Sequence, residues 1–208
     1  TLYTCSVCGY SYKDNYTAVR ENPSKVTGLA FGARSADYVS LKWNKDANAD
    51  GYIVEYLSGN KFVKLTDKTS ELAVSYKVTG LEAGTLYKFR VRSYVNENGK
   101  RVYGEYSDVL NVRTLPKAMS NLKLGAITDN SISLKWDKNE TANGAVVEMY
   151  KNGQWVVIAT KTSNTAVSHK ITGLDASTAY KFRVRAYIND EGGRIYSVYN
   201  TTLNEATA

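Results

Sequence analysis

The 208-residue sequence predicts an all-β protein made of two tandem seven-stranded sandwiches. Three observations carry that prediction. Residues 23–115 align on residues 116–208 at a constant offset of 93, without insertion or deletion, and 41 of the 93 paired positions are identical. A period of that length is a whole domain, because solenoid repeats run to about 20–50 residues. Within each copy, apolar and polar residues alternate over short runs separated by polar turns, which is the period of a half-buried strand and not of a helix. Finally, the only two prolines, Pro23 and Pro116, each open a copy. The expected organisation is a stub (1–22), a first domain (23–115) and a second domain (116–208).

The elements follow in order. An opening strand is expected near Val26 to Phe31. Tyr38 to Trp43 places Val39, Leu41 and Trp43 on one face, and Gly51 to Tyr56 does the same with Tyr52, Val54 and Tyr56. Phe62 to Leu65 is a short strand. Leu72 to Val78 alternates through Val74 and Tyr76. Thr85 to Tyr94 is the strongest, with Tyr87, Phe89 and Val91 facing one way and Lys88, Arg90 and Arg92 the other. A last strand runs from about Val102 to Val112. An antiparallel sandwich buries one face of each sheet and wets the other. The arginine face is therefore expected in solvent, with Glu55 pairing to Arg90 or Arg92 and Glu148 to Arg183 or Arg185. Such exposed pairs contribute roughly 0.2–1 kcal/mol each.

These residues resemble the fibronectin type III family. The resemblance rests on Pro23, Leu41-Lys42-Trp43, the run Gly51 to Tyr56, and Thr79-Gly80-Leu81 leading to Tyr87-Lys88-Phe89-Arg90-Val91. Pro116, Leu134-Lys135-Trp136, Thr172-Gly173-Leu174 and Tyr180 to Val184 repeat them. It implies an immunoglobulin-like sandwich, a fold that the general description of β-sandwiches already assigns to this family. It also implies that Trp43 and Trp136 are core anchors, and that Tyr87 and Tyr180 are tyrosine corners, each bending its hydroxyl back to a backbone group. The second copy departs at Ala145 and Met149, which replace Tyr52 and Tyr56, and Trp155 is expected to supply the missing core volume. The Arg-Gly-Asp tripeptide of some members is absent, so integrin adhesion has no support. The join Thr114-Leu115-Pro116-Lys117 lacks a flexible run and predicts an elongated rod of limited flexibility without an interdomain cleft.

Charge narrows the partners. The net charge of +7 divides into zero for the stub, +4 for the first copy and +3 for the second. A nucleic-acid reader concentrates its basic residues in a stripe with stacking aromatics, whereas here the densest basic pattern, Lys88-Phe89-Arg90-Val91-Arg92, is one face of a strand. No nucleic-acid partner is expected. No run of 18 apolar residues exists, so no membrane span is expected. The start at Thr1 reads as that of an excised fragment.

Catalytic chemistry finds little to build on. The only histidine, His169, occupies the position of Tyr76, which marks it as a packing residue rather than a base. His-based nucleophile relays therefore lack a second member. Asp46, Asp50 and Asp67 lie in turns without calcium-loop spacing. No catalytic residue and no cofactor is expected.

Two surfaces remain as candidates. Both cysteines lie in the stub, as Cys5-Ser6-Val7-Cys8-Gly9. This resembles one knuckle of a zinc ribbon, in which two thiolates face one ion, and the Cys-x-x-Cys-Gly repeats of large secreted proteins of gut Firmicutes. Structural zinc takes four ligands, so three readings stay open: the end of a truncated upstream module, a local disulfide, or metal binding here, for example between two chains. The other surface is the tyrosine-rich final hairpin of each copy. Tyr94, Arg101 and Tyr103, with Tyr187, Arg194 and Tyr196, are the candidate partner contacts, because amphipathic aromatics stack on sugars or fill protein interfaces. The functional expectation is a non-catalytic spacer and interaction module in a multidomain extracellular, secreted or surface-attached bacterial protein, with neighbouring domains as partners. The competing reading is adhesion to a polysaccharide or a surface protein through those hairpins.

Overall fold

The computed structural model describes residues 2–13, 21–199 and 201–208, and every element among them is a strand. The stub contributes a hairpin of β1 (Leu2–Thr4) and β2 (Ser11–Lys13). Its predicted remainder, 14–20, lies outside the described residues. The first copy contains β3 (Ala30–Arg34), β4 (Tyr38–Lys42), β5 (Gly51–Ser58), β6 (Lys61–Lys68), β7 (Ser75–Thr79), β8 (Leu86–Glu97), β9 (Lys100–Tyr103) and β10 (Leu110–Arg113). The second contains β11 (Lys123–Ile127), β12 (Ser131–Lys135), β13 (Gly144–Lys151), β14 (Gln154–Lys161), β15 (Ser168–Thr172), β16 (Ala179–Asp190), β17 (Gly193–Tyr196) and β18 (Thr202–Ala206).

In each copy a three-stranded sheet packs on a five-stranded one. The orders are β3-β4-β7 against β10-β8-β5-β6, with β9 also on β8, and β11-β12-β15 against β14-β13-β16-β17, with β18 also on β16. All pairings are antiparallel. The alternation read from the sequence places Val39, Leu41, Trp43, Tyr52, Val54, Phe89 and Val91 in the first core. The opening strand forms at Ala30–Arg34, beyond the expected segment, although Val26 is still buried beside it.

The predicted last strand is divided. β9 and β10 both pair with β8, but Tyr103 lies opposite Tyr94 and Leu110 opposite Phe89, so the register shifts by two residues between them. Ser107 bridges the shift, since its Oγ accepts from Val91 N at 3.0 Å while its own N–H donates to Val91 O at 2.8 Å. The bulge makes room for Tyr106 on the outer face.

The second core is remodelled differently from expectation. Trp155 lies on the outer face of its sheet, where Arg183 stacks on it at 4.1 Å and Tyr150 meets it edge-on at 5.3 Å. The volume lost at Ala145 and Met149 is recovered by larger residues at three other places: Met119 for Val26, Ile132 for Val39 and Ile171 for Val78. Trp43 packs edge-on against Tyr52, and its indole N–H has no partner among the described residues. Trp136, without that tyrosine, donates to Ala166 O at 3.0 Å.

Candidate functional site

Three surfaces gather polar, aromatic or thiol side chains: the outer face of each five-stranded sheet, the joint between the copies, and the cysteine turn.

On the outer face, β8 presents Arg90 and Arg92 two residues apart, so both point the same way. β5 supplies Glu55, and the hairpin after β8 lays aromatics over the arginines. Arg90 is sandwiched between Phe62 (4.0 Å) and Tyr106 (3.6 Å), and Arg92 stacks on Tyr103 (3.9 Å). Glu55 lies beneath them, bonded to Arg90 at 2.7 Å and to the Tyr106 hydroxyl at 2.9 Å. The second copy repeats the stack with Trp155, Arg183, Tyr199, Arg185 and Tyr196. There Glu148 holds both Arg183 (2.6 Å) and Arg185 (3.2 Å) and accepts from Tyr199 at 2.6 Å. These are not the solvated pairs expected from alternation. The tyrosines of the final hairpin cover the carboxylates and leave Glu55 and Glu148 buried.

Burial disfavours the Glu148 carboxylate, but the bonds from Tyr199 and Arg183 and the charges of Arg183 and Arg185 outweigh it, so its pKa lies below the ordinary value. Burial and the bond to Glu148 push Tyr199 up to about 12. Each cation–π contact contributes about 0.5–1 kcal/mol where exposed and more where desolvated. The stack is thus a stabilising cover rather than a set of acids and bases near neutrality.

The hairpin residues separate under this geometry. Tyr94 and Tyr187 are each only 1% exposed, so they do not present a face to a partner. Their rings fill the space above Gly51 and Gly144, with the hydroxyls reaching Lys68 O and Lys161 O. Arg101 stacks on Tyr94 and is bonded to Asp67. Thr160 stands where Asp67 would be, so Arg194 stacks on Tyr187 at 4.2 Å and remains exposed. Tyr103 is exposed and Tyr196 half-buried. Of the six candidate contacts, Tyr94 and Tyr187 are buried, Arg101 is half-buried and held by Asp67, and Tyr103, Arg194 and Tyr196 are accessible without such an ion pair.

Other assignments resolve simply. The Tyr87 hydroxyl accepts from Glu82 N at 2.9 Å and the Tyr180 hydroxyl from Asp175 N at 2.9 Å, the backbone pinning that a tyrosine corner requires. His169 is half-buried on β15. Burial and then the nearby charge of Lys161 lower its pKa. At the same place in the first copy, Lys68 stacks on Tyr76 at 4.6 Å.

The sequence pointed to a stiff join at Thr114-Leu115-Pro116-Lys117 but not to the residues that bond it to each domain. Leu115 N donates to Ser35 O (2.8 Å) and Gly84 N to Leu115 O (3.0 Å), while Lys117 N donates to Thr141 Oγ1 (2.9 Å). The linker is therefore bonded to both domains, and Pro116 is buried. Arg113 crosses the boundary to Asp190 at 3.2 Å and also donates to Gly84 O at 3.0 Å. Gly84 lies against the second domain, where an added Cβ would approach Thr141 O to 2.7 Å and Ile188 to 2.9 Å. Its counterpart Ser177 adopts the same positive φ, 47° against 68°, so the backbone tolerates a side chain there and the neighbouring domain does not. Gly84 against Ser177 was the available signal. Beside the joint a cleft of about 810 Å³ opens, lined by Arg34, Lys88, Arg113 and the β16–β17 hairpin, contrary to the expectation of none.

In the cysteine turn, Cys5 N donates to Tyr10 O (2.9 Å) and Gly9 N to Cys5 O (3.0 Å), and Gly9 has φ 69°. Both thiols are exposed and free. The Cys8 N–H, the Cys8 thiol and the Val7 N–H donate toward Cys5 sulfur and lower its pKa. The turn suits two positions of a tetrahedral thiolate site. Among the described residues no group of three or more His, Cys, Asp or Glu forms, so it does not by itself complete one.

Comparison with known proteins agrees with this architecture. The model of the fibronectin type III domain matches residues 24–112 and 116–201. The chain is 30% identical over 178 residues to receptor-type tyrosine-protein phosphatase eta of Gallus gallus, covering 84% of this chain and 12% of that protein. It is 29% identical over 189 residues to chitinase A1 of Niallia circulans, covering 84% of this chain and 24% of the chitinase. To chitinase Chi52 of Paenibacillus xylanexedens it is 39% identical over 94 residues, 45% of this chain and 16% of that one. The chain thus spans a small part of each relative's length. A solved two-domain fibronectin type III segment of chicken tenascin superposes with a TM-score of 0.55 at 18% identity, covering 90% of this chain and all of that segment. Two like sandwiches, paired tyrosine corners and a family match over both copies place this chain in the fibronectin type III family, as two of its domains in tandem.

Proposed function

We propose that the chain is a non-catalytic spacer and interaction module of a multidomain extracellular bacterial protein. The observation that carries this reading is the joint. Thr114-Leu115-Pro116-Lys117 is bonded to both domains, Arg113 and Asp190 clamp across it, and Gly84 allows close approach. A short bonded linker transmits orientation, which is what holding neighbouring modules apart requires. The two chitinases of Niallia circulans and Paenibacillus xylanexedens support a bacterial parent in which such domains accompany other modules. No helix among the described residues is long and apolar enough to cross a membrane.

Gly84→Ser tests this, because Ser177 at the equivalent turn of the second copy shows that the domain fold accepts serine at that φ. Nitrogen-15 relaxation of the wild type is expected to give one rotational correlation time for both copies. Gly84→Ser and Arg113→Ala are expected to give two shorter ones. Independent tumbling of the wild-type copies would overturn the spacer reading.

A second reading has a specific observation behind it. Tyr103, Tyr196 and Arg194 are accessible on the final hairpins, and the chitinase relatives suggest a polysaccharide as ligand. Sedimentation with insoluble chitin and a glycan array decide it. Binding lost in Tyr103→Ala or Tyr196→Ala supports it, and silence across both assays rejects it.

A further inference from the structure

We propose that β14 is a self-association edge, through which two copies of this chain pair antiparallel and join their five-stranded sheets into one. Both β6 and β14 are edge strands of their sheets among the described residues. An edge strand presents unpaired N–H and C=O groups, and proteins blunt such edges with charge, especially lysine. β6 is blunted in that way: it reads Lys-Phe-Val-Lys-Leu-Thr-Asp-Lys, with Lys61, Lys64 and Lys68 spaced along it. β14 reads Gln-Trp-Val-Val-Ile-Ala-Thr-Lys at the same positions, and two of those three lysines have become Gln154 and Val157. Val157 is 53% exposed and Val156 38%, so the apolar residues lie open along an edge whose sister copy is protected.

The pleat selects the partner. Trp155 pairs with Tyr150 and Val157 with Glu148, so both lie on the outer face, whereas Val156 pairs with Met149 and points to the core side. A bulge between Val147 and Glu148 disrupts the alternation after Val157. In an antiparallel pair related by a two-fold axis, directly opposed residues must share a face. Placing the axis at Val156 satisfies this over the whole unbulged stretch. Val156 then meets Val156 of the second copy, and each Trp155 meets a Val157. That aromatic-to-β-branched opposition is among the favourable cross-strand pairs, and here it occurs twice. Lys161, the only charge on β14, lies beyond the bulge. The same operation on β6 sets each Phe62 against a Lys64 and each Lys61 against a Leu65, so the first copy does not offer this edge. An unrelated extended peptide has access to the same hydrogen-bonding groups, but it lacks the face-matched double pair that the strand offers to itself.

The test uses the 208-residue chain. Sedimentation equilibrium from about 10 µM to about 1 mM is expected to show a monomer–dimer equilibrium. Val157→Lys, which restores the residue of the first copy, is expected to weaken it by about tenfold or more, with an unchanged melting curve showing that the variant folds. In a Cys5→Ser/Cys8→Ser background, Val156→Cys is expected to form a disulfide-linked dimer on mild oxidation, and Val63→Cys is not. A wild type that stays monomeric throughout the range overturns the proposal. So does a dimer indifferent to Val157→Lys, and so does a Val63→Cys dimer forming as readily as the Val156→Cys one.

Discussion

Glu148→Gln removes the charge at the centre of the second copy's outer-face stack. Glu148 is 5% exposed at its side chain, and its oxygens hold Arg183 at 2.6 Å, Arg185 at 3.2 Å and Tyr199 at 2.6 Å. Removing one partner of a buried ion pair costs about 3–5 kcal/mol, because the remaining charge is left desolvated. The arginines here keep 22% and 27% exposure and their ring contacts, so water replaces part of what is lost. The expected loss is therefore about 2 kcal/mol, below that range because the arginines stay partly hydrated. For a domain of this size that lowers the melting temperature by roughly 10 °C. The pH dependence has a definite sign. Glu148 has a folded pKa below its unfolded value, so its contribution is fully present above about pH 4.3 and is lost as pH falls through the folded pKa. Differential scanning calorimetry of the whole chain provides the assay, with the first copy's transition as internal reference. At pH 7 the second copy's transition should fall in Glu148→Gln, and the gap between the two proteins should narrow as pH falls below the unfolded pKa of about 4.3. An unchanged transition at pH 7, or a gap that fails to narrow with acidification, would contradict this account.

Tyr87→Phe and Tyr180→Phe each delete one hydrogen bond to a turn N–H, and each should cost its own domain about 1 kcal/mol in chemical denaturation. Gly51→Ala and Gly144→Ala should unfold or severely destabilise their domains, by about 3 kcal/mol or more. The new Cβ would sit 2.0 Å from Lys68 O or Lys161 O and within 2.6–2.8 Å of the tyrosine hydroxyl, as circular dichroism melts would register. Cys5 should react with iodoacetamide at neutral pH faster than a peptide thiol of ordinary pKa, because N–H donors stabilise its thiolate. With cobalt(II), the turn should give a tetrahedral tetrathiolate spectrum only at a stoichiometry of two chains per ion, since one chain offers two thiols.

Much of the fold is a local matter, and local matters are legible. A strand shows its two faces through a period of two, so Val39, Leu41 and Trp43, or Phe89 and Val91, identify themselves as core without knowledge of the rest of the chain. The duplication identifies the domains, and the Gly-Leu spacing before Tyr87 and Tyr180 identifies the corners. Alternation leaves open whether the second face of a strand is wet, because that depends on what another segment lays over it. Glu55 and Arg90 read as a solvated pair until Tyr106, 51 residues from Glu55, is placed above them by a bulge. Tyr94 and Tyr187 read as displayed aromatics until the hairpin turns them over a glycine in another strand. Trp155 reads as core volume because its strand's register, and so its face, depends on the bulge opposite Glu148. The joint depends on contacts such as Gly84 with Thr141 and Arg113 with Asp190, which span the two copies and exist only once both are folded. The all-β class, the duplication and the core positions are readable along the chain, because burial of alternate side chains is written within a few residues. The tertiary structure alone decided which polar and aromatic groups are covered, which remain accessible and how the copies are joined, because each of those outcomes rests on residues distant in the chain.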